Sequence, residues 1–513
     1  MTRWFRGVLT TALQRRKLVI GGTAAAFAIS VALFGLIENQ FFPASNRPEL
    51  LVDLRLAQNA SIKATQREVG RLEKILKADP DVLYHTFYVG SGAVRFYLPL
   101  NVQLENANFA QAIVVTRNNE VRDQVQSRLE RALDNDFDSL LGRVQPLQLG
   151  PPVDWPIQYR VMGPDIAGVR RVSEQVAQHI RENSQARTVN FDWNERSKSI
   201  QLQIDQDKAR LLGLTSEQVS LALNAGLSGR TVTQLRDDIY LIDVIGRAQA
   251  RDRGDVQSLR DLGINLPNGN SVPLEQVATF AYGLEESIIW RRERLPTITV
   301  QASLVPGVQA ATVVGELEKP MAEVRRSLPP GYRIEVGGAV GESAKGQKSV
   351  FAVLPVTALI MLFVLMIQLH STQKLLLVVL TAPLGLVGVS LALLVSGKPV
   401  GFVAMLGVFA LTGMIIRNSV VLMAQIKESE EAGMERGDAI VEATMHRLRP
   451  ILLTASAAIL GLIPIAGDVF WGPMAYAMMG GLLIATVLTL LFLPALYAAW
   501  YRVPVKHSSG QVV

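Results

Sequence analysis

The sequence predicts an α+β membrane protein in which one transmembrane helix precedes a large extracytoplasmic domain and five more transmembrane helices follow it. The first observation is the distribution of apolar residues: 49% of the 513 residues are hydrophobic, but the long apolar tracts lie before residue 40 and after residue 345. The second is that residues 38–345 have the mixed composition of a globular domain. A membrane helix needs about 20 apolar residues, which each tract can supply or approach.

The first tract, 18–37, contains no charged residue and follows Arg15, Arg16 and Lys17. Its length suits a transmembrane helix better than the core of a signal peptide, which is about 7–15 residues long. No convincing small-residue cleavage site follows it, so we predict a retained span. The other predicted spans are 350–369, 375–396, 401–426, 451–466 and 473–500, within a helical region 350–500.

Basic residues set the predicted orientation, because Lys and Arg accumulate in cytoplasmic loops. Of the two sets of short loops and ends that the spans separate, one carries nearly all of the Lys and Arg residues, and the other carries only Lys398. Both termini, 1–17 and 501–513, are therefore predicted to be cytoplasmic, which in a bacterium places the protein in the inner membrane. The residues on the cytoplasmic side are Arg3, Arg6, Arg15, Arg16, Lys17, Lys374, Lys427, Arg436, Arg447, Arg449, Arg502 and Lys506.

The extracytoplasmic domain contains a repeated strand and helix pattern. Alternating residues predict strands at 50–56, 82–89, 111–116 and 144–149, with amphipathic helices at 62–76 and 119–133. Two βαβ halves of this kind form a ferredoxin-like sandwich. The pattern recurs at 157–193 and again at 297–336. We therefore predict one sandwich at 44–149, a second at 150–203 and 287–340, and an inserted α+β lobe at 204–286.

The composition excludes several functions. The absence of cysteine excludes disulfides and thiolate chemistry, and the five histidines never occur at metal-ligand spacing. The segment 341–349 resembles a phosphate-binding loop, but Gln347 stands where lysine is required, and we interpret the segment as a flexible approach to the membrane. A net charge of +6 without a dense basic block does not indicate nucleic-acid binding. The sequence predicts neither an enzyme nor a metal site.

Arg417 is the most informative residue, because it lies inside the apolar span 401–426 beside Asn418 and Ser419. A central arginine costs about 2.5–3.5 kcal/mol to insert, so such residues face a partner or a cavity. No Asp or Glu lies in the interior of the six predicted spans. Arginine keeps its proton, so it can only sense a carboxylate that gains or loses one. We therefore predict a counter-charge from another polypeptide, or an incomplete chain.

Small residues and prolines recur in the later spans. We interpret them as sites of close helix packing rather than as gates, because small side chains allow backbones to approach and bundles tolerate proline. These residues are Pro355, Ala382, Pro383, Gly385, Gly388, Pro464, Gly480, Gly481 and Pro494.

The chain resembles the C-terminal half of a resistance–nodulation–division (RND) efflux permease of the hydrophobe/amphiphile type. The resemblance depends on Phe41-Phe42-Pro43 after the first span, on the order of one span, a large loop and five spans, and on two motifs. The first motif is Gly413-Met414-Ile415-Ile416-Arg417-Asn418-Ser419, and the second is Arg447-Leu448-Arg449-Pro450-Ile451-Leu452-Leu453-Thr454.

The resemblance implies two porter subdomains, 44–149 and 150–340, with the insertion 204–286 as part of a docking funnel. Members of this family carry two such halves, work as trimers with a periplasmic adaptor and an outer-membrane channel, and export amphiphiles at the expense of proton entry. The resemblance therefore implies a proton gradient and no other cofactor. Met162 and Met321 are isolated rather than clustered, which favours amphiphiles over copper or silver ions.

The resemblance also implies roles for particular residues. Arg417 corresponds to a central basic residue that is usually lysine, and Asn418 follows it in the family pattern too. For proton-relay coupling, Thr454 corresponds to a polar residue near the relay and Arg447 to a basic residue on its cytoplasmic side. The proton-binding aspartates of the family belong to the missing N-terminal half. In the family, aromatic residues line the substrate pocket. The corresponding segment of this chain contains five aromatic residues that could equally belong to the core of the sandwich, namely Tyr84, Phe87, Tyr88, Phe96 and Tyr97.

Two alternatives remain at this stage. A SecD/SecF-type protein-export factor shares the plan of six spans with a large first loop, although the insertion and the two motifs favour the efflux permease. A non-transporting scaffold or truncated subunit would bind adaptor or channel components through its outer lobe. The neighbouring reading frame would distinguish these possibilities. If it encodes a half with intramembrane aspartates, the chain belongs to a split pump; if it does not, the chain is a remnant or a fragment.

Overall fold

The computed structural model describes residues 2–43 and 45–504. The chain begins with two helices, α1 (Thr2–Gln14) and α2 (Arg16–Phe34). α1 is amphipathic, and Leu9 and Leu13 on its apolar face belong to the same buried cluster as residues from the helices at the end of the chain. α2 is one of the apolar helices that are long enough to cross a membrane.

A four-stranded antiparallel sheet with two helices follows α2. Its elements are β1 (Glu49–Leu56), α3 (Ile62–Ala78), β2 (Val82–Val89), β3 (Phe109–Thr116), α4 (Asn119–Asp136) and β4 (Leu140–Pro146). The strand order is β2-β3-β1-β4, with every neighbouring pair antiparallel, as in a split βαβ sandwich. We call this unit the first sandwich.

The two faces of β1 have different partners. Leu50, Val52 and Leu54 are buried in one cluster with residues of both helices, so α3 and α4 cover the same face of the sheet. Side chains alternate along a strand, so Asp53 and Arg55 lie on the opposite face. The charged residues of β1 are therefore kept away from the helix-covered core.

The chain then starts a second sheet with β5 (Ile157–Met162), α5 (Ile166–Arg181) and β6 (Ala186–Phe191). After β6 it enters a separate compact unit, Asn194–Ile288, before the second sheet is completed.

The inserted unit has its own core. Its strands are β7 (Ser197–Ile204), β8 (Arg230–Asp237), β9 (Tyr240–Gly246), β10 (Gly263–Asn265), β11 (Ser271–Pro273) and β12 (Ala278–Glu285). Its helices are α6 (Gln206–Leu211), α7 (Ser216–Leu227), α8 (Ala250–Arg253), α9 (Val256–Arg260) and α10 (Leu274–Val277). Because β7 pairs with β12, the unit starts before the predicted boundary at 204.

The second sheet is completed by β13 (Arg291–Arg292), β14 (Leu295–Leu304), α11 (Ala310–Arg326) and β15 (Arg333–Val336). The order is β6-β14-β5-β15, with β13 paired to the start of β14. Strand for strand this is the order of the first sandwich, and we call the unit the second sandwich. The insertion interrupts it between its second and third long strands.

The remaining residues form a helical region. Its elements are α12 (Gly338–Leu369), α13 (Thr372–Val379), a short 3-10 turn (Ala382–Leu384), α14 (Gly385–Ser396), α15 (Phe402–Glu431), α16 (Arg436–Ala466) and α17 (Gly472–Trp500). With α2, and with α13 to α14 taken as one segment, six helical segments of the described chain are long and apolar enough to span a membrane.

Three helices extend beyond the predicted spans. α12 includes residues 341–349, so the segment interpreted as a flexible approach is helical. α15 continues to Glu431 and α16 starts at Arg436. Residues 427–449, which are rich in charged residues and separate the predicted spans 401–426 and 451–466, are therefore also mostly helical. Charged residues beyond the apolar stretch can still stabilise a helix when oppositely charged side chains lie four positions apart. Nζ of Lys427 lies 3.6 Å from Oε1 of Glu431 in such a pair.

Glycines bring α14 and α17 together, as the small residues predict. A Cβ atom added to Gly388 would lie 2.1 Å from the carbonyl oxygen of Gly480, and one added to Gly480 would lie 2.2 Å from Cβ of Ala392. The two backbones therefore touch where a side chain would keep them apart.

Candidate functional site

Arg417 lies on an exposed face of α15. The same face carries three more exposed residues, which precede Arg417 at intervals of three or four positions: Leu406, Ala410 and Gly413. The Arg417 guanidinium makes no hydrogen bond or ion pair with any residue in 2–43 or 45–504. The helix thus presents an arginine, flanked by small residues, outward from the bundle.

α16 presents a similar face. Thr454, Ala457 and Gly461 are exposed at helical spacing. The Thr454 hydroxyl donates only within its own helix, to the carbonyl oxygens of Pro450 and Ile451, each at 3.0 Å. A Cβ added to Gly461 or to Gly413 on α15 would meet nothing within 4 Å. Both faces therefore have room for another helix to approach closely.

Asn418 and Ser419 lie on the buried side of α15, and Ser419 makes a contact that the sequence did not reveal. Its hydroxyl is hydrogen-bonded to that of Thr381 at 2.8 Å, and both residues are fully buried. Thr381 also donates to the carbonyl oxygen of Val378 at 2.6 Å. This pair joins α15 to the point where the third apolar segment breaks before Pro383, which cannot donate a backbone hydrogen bond. The sequence feature that could have indicated this contact is a threonine two residues before a proline within an apolar span.

Arg447 lies towards the other end of α16. It is half-buried, and its Nε is buried without a hydrogen-bond partner among the described residues. No hydrogen bond in the described chain joins any two of the predicted relay residues, which are Arg417, Asn418, Thr454 and Arg447.

Three acidic residues near the ends of α15 and α16 have other partners. Glu430 accepts a hydrogen bond from the Tyr497 hydroxyl at 2.8 Å, Glu431 pairs with Lys427, and Glu442 pairs with Arg6. Arg417 is therefore a cation in an apolar helix to which the described residues supply no counter-charge.

The five aromatic residues considered for a substrate pocket do not face one space. Phe87 packs against the helix-covered core of the first sandwich, whereas Tyr88 and Tyr97 pack on the opposite face of its sheet. Adjacent residues of a strand point to opposite faces, which separates Phe87 from Tyr88. Phe96 contacts Tyr97 with ring centres 5.2 Å apart, and Tyr84 is largely exposed.

A cavity of about 410 Å³ lies where the two sandwiches meet the start of α12 and the segment after α2. Its lining contains Phe41 and Phe42, together with amide side chains such as Gln148 and Gln347, and no charged residue. Phe42 stacks on Phe470 with ring centres 5.8 Å apart. The Phe41-Phe42-Pro43 motif therefore forms an apolar wall with neutral hydrogen-bonding groups near it.

A second space, of about 260 Å³, has the opposite character, because three aspartates and two arginines line it. It lies between the two sandwiches, and we call it the charged cleft. Burial raises the pKa of Asp53, lowers the pKa of Arg143 and raises the pKa of Asp192 to about 6. These residues are far apart in the sequence, and no local motif marks them.

Comparison with known proteins gives a consistent family assignment. The family model described as the AcrB/AcrD/AcrF family matches residues 1–500. The cobalt-zinc-cadmium resistance protein CzcA of Cupriavidus metallidurans is 25% identical over 98% of this chain and 48% of its own length. The multidrug resistance protein MdtC of Serratia proteamaculans is 23% identical over 98% of this chain and 49% of its own. The chain thus spans about half the length of these curated relatives.

A solved structure supports the same fold. The crystal structure of a heavy metal efflux pump matches with a TM-score of 0.79 and 22% sequence identity, over 97% of this chain and 52% of that one. At this identity the likeness establishes the fold alone.

Proposed function

The chain belongs to the AcrB/AcrD/AcrF family of RND efflux permeases, and we propose that it acts as one half of a proton-driven permease that exports amphiphilic compounds. The observation that carries this proposal is Arg417, an exposed cation on an apolar helix without a counter-charge in the described chain. The other half, whether on a separate polypeptide or a continuation of this one, would supply the proton-binding carboxylates. Those carboxylates would approach the faces of α15 and α16.

Coupling would follow from the charge of such a carboxylate. When it is ionised, it pairs with Arg417; when it binds a proton, Arg417 loses its counter-charge and the pairing that holds the helices together weakens. Entry of one proton supplies about 2.3 kcal/mol per 100 mV of membrane potential, besides the pH gradient. The Thr381–Ser419 hydrogen bond would carry movement of α15 to the broken third span.

The outer domain would provide the transport path. In this proposal residues 44–149 and 150–203 with 287–340 are porter subdomains, and residues 204–286 belong to a docking lobe for the outer-membrane channel. A periplasmic adaptor and two further copies would complete a trimeric assembly in the bacterial inner membrane, with both termini in the cytoplasm. The proton gradient would be its sole cofactor, and we propose no catalytic activity.

The relatives include both metal and drug resistance proteins, so the substrate class needs its own argument. The cavity beside Phe41 and Phe42 has an apolar wall and no charged lining residue, which suits the apolar part of an amphiphile. It lies next to the start of α12, where a compound leaving the membrane would meet the outer domain. These features support amphiphiles rather than metal ions as substrates.

The test compares Arg417 with a basic residue at the end of the same helix. The complete assembly, purified with whatever polypeptide accompanies this chain, is reconstituted in liposomes and proton-driven export of a cationic detergent is measured. We expect Arg417→Ala to reduce export at least about a hundredfold, since it removes the charge that senses the carboxylate, and Arg417→Lys to retain part of it.

Lys427→Ala serves as the matched control, because Lys427 lies on α15 but is half-exposed and paired with Glu431. It should export at the unmodified rate. Unchanged export by Arg417→Ala would contradict proton coupling through Arg417, and an assembly that exports nothing would favour the scaffold alternative. Export of cobalt or zinc in place of the detergent would contradict the amphiphile assignment.

A further inference from the structure

The helix α1 packs on the apolar helices through one face only. Leu9 and Leu13 are fully buried in a cluster that includes residues of α15, α16 and α17, and Phe5 packs beside Leu448 of α16. The opposite face of α1 is exposed, and its residues are Arg3, Trp4, Gly7, Thr11 and Gln14. The exposed face therefore has no partner within the helical region.

Two arginines fix α1 and the start of α2 on the ends of two long helices. The Arg6 guanidinium pairs with the carboxylate of Glu442 on α16. Nη1 of Arg16 donates hydrogen bonds to the carbonyl oxygens of Ala498 and Val503, at 2.6 and 3.0 Å. The last carbonyl groups of a helix lack partners within it, so Arg16 stabilises the end of α17. α1 is thus held in place by the chain itself.

Four other cations in this region have no such partner, and we call them the basic belt. Each is exposed, and its side chain makes no hydrogen bond or ion pair with a residue in 2–43 or 45–504. No Asp or Glu occurs in residues 1–37. The basic belt consists of Arg3 and Arg15 at the two ends of α1, Lys17 on α2, and Arg449 on α16.

Arg449 lies on the side of α16 that contacts α1. It follows Glu442 by seven positions, which is two helical turns, so the two residues share a face. Glu442 is paired with Arg6, and Phe5 packs beside Leu448. The basic belt therefore joins the exposed face of α1 to the adjoining face of α16.

Exposed apolar side chains accompany these cations. Trp4 is 71% exposed next to Arg3, and Leu18 is 69% exposed next to Lys17, where the apolar stretch 18–37 begins. Tryptophan is enriched where a membrane meets water, and a helix with a basic polar side and an exposed Trp lies in that boundary. The basic belt is therefore at the depth of lipid headgroups.

We infer that α1 and the basic belt bind anionic phospholipids. The lipid phosphates would pair with Arg3, Arg15, Lys17 and Arg449, and the Trp4 ring would lie against the upper part of the acyl chains. A zwitterionic headgroup carries its own cation, so the basic belt should favour phosphatidylglycerol over phosphatidylcholine. The inference goes beyond the proposed function and depends on neither the proton coupling nor the substrate.

A lipid surface fits these features better than a soluble anion. A helix of 13 residues is about 20 Å long, so the cations at the two ends of α1 would meet separate headgroups. A soluble phosphate compound could pair with the cations, but it would leave Trp4 and Leu18 in water. A membrane accommodates the charged and the apolar side chains together.

Native mass spectrometry of the full chain, delipidated in detergent, tests the inference. Palmitoyl-oleoyl-phosphatidylglycerol and palmitoyl-oleoyl-phosphatidylcholine are titrated separately, since they differ only in the headgroup. We expect phosphatidylglycerol to bind at least about tenfold more tightly, because each basic residue near a membrane surface favours anionic lipid. The variant Arg3→Gln/Arg15→Gln/Lys17→Gln/Arg449→Gln should lose this preference.

Two further variants separate charge from apolar contact. Arg3→Lys/Arg15→Lys/Arg449→Lys keeps the charges and should keep the preference for phosphatidylglycerol. Trp4→Gln should weaken binding of both lipids by roughly threefold and leave the preference unchanged, since the ring contacts the chains that the two lipids share. Circular dichroism and gel filtration verify that each variant is folded.

The matched control removes four exposed basic residues from the helices of the first sandwich. Its changes are Lys63→Gln, Arg67→Gln and Lys74→Gln on α3 and Arg131→Gln on α4. It changes the net charge by the same amount and should bind phosphatidylglycerol as the unmodified chain does.

Three results would overturn the inference. The first is equal binding of the two lipids by the unmodified chain. The second is an unchanged preference in the variant that lacks the basic belt, or an equal loss in the matched control. The third is displacement of phosphatidylglycerol by an equimolar amount of glycerol phosphate, which would show that a soluble anion accounts for the site.

Discussion

At the scale of single residues, charges in unusual surroundings carry most of the functional information. Arg417 is a cation in an apolar helix, and Asp53, Asp192 and Arg143 are charged groups in a cleft where burial opposes ionisation. Burying a charge costs free energy unless a partner compensates for it. We therefore attribute Arg417 to a partner carboxylate in the membrane, whereas the aspartates of the cleft have Arg55 and Arg143 as neighbours.

Asp192 gives a prediction about pH and stability. Its pKa is about 6 in the folded chain and 3.8 without the fold, so the folded chain binds this proton more tightly. The resulting stability is present below about pH 4 and is lost as the pH rises through 6. Asp192→Asn should therefore raise the free energy of unfolding by about 1–3 kcal/mol at pH 8 and by almost nothing at pH 4.

Thermal unfolding of the purified chain across this pH range measures the effect. Asn keeps an oxygen that can accept from the Thr299 N–H, so the variant changes charge and little else. A difference between variant and unmodified chain that does not grow between pH 4 and pH 8 would contradict the raised pKa.

The sequence pointed to one of these candidate sites and not to the other, for a physical reason. Arg417 could be recognised because its apolar neighbours are adjacent in the sequence. The charged cleft joins β1, β4, the segment after β4 and the end of β6, which only packing of two sheets brings together. The aromatic group failed as a single pocket because strand alternation sends Phe87 and Tyr88 to opposite faces.

At the scale of elements, periodicity predicted most helices and strands, but it did not predict where the helices end. The length of an apolar stretch predicts which part of a helix suits a membrane. It does not predict the ends of α12, α15 and α16, because these helices continue through charged residues beyond their apolar stretches. The start of the insertion was also missed, because the assignment of β7 depends on its pairing with β12 rather than on its own pattern.

The contact between α14 and α17 supports a prediction at this scale. Gly388→Ala would place Cβ 2.1 Å from a backbone oxygen of the neighbouring helix, so the helices must separate. We expect a loss of roughly 1–3 kcal/mol in the free energy of unfolding, measured as a lower midpoint of thermal unfolding in detergent.

Gly21→Ala provides the comparison, because an added Cβ at this position on α2 would meet nothing within 4 Å. Its unfolding midpoint should equal or exceed that of the unmodified chain, since alanine favours the helix. Equal midpoints for the two variants would contradict the close packing of α14 on α17.

At the scale of the whole molecule, the described residues form two sandwiches of the same strand order, an inserted unit and six apolar helical segments. It spans about half the length of the curated relatives it matches. The exposed faces of α15 and α16, with Gly413, Arg417, Thr454 and Gly461, can accommodate close helix contacts. We therefore propose that a second half packs there and brings the proton-binding groups.

The distance from the Arg417 guanidinium to the nearest carboxylate, in a high-resolution structure of the assembly purified from native membranes, tests this most directly. We predict a carboxylate within about 4 Å, the range of an ion pair, contributed by residues other than 1–513. An acidic side chain of residues 1–513 at that distance, or a guanidinium surrounded by cytoplasmic water, would contradict the account.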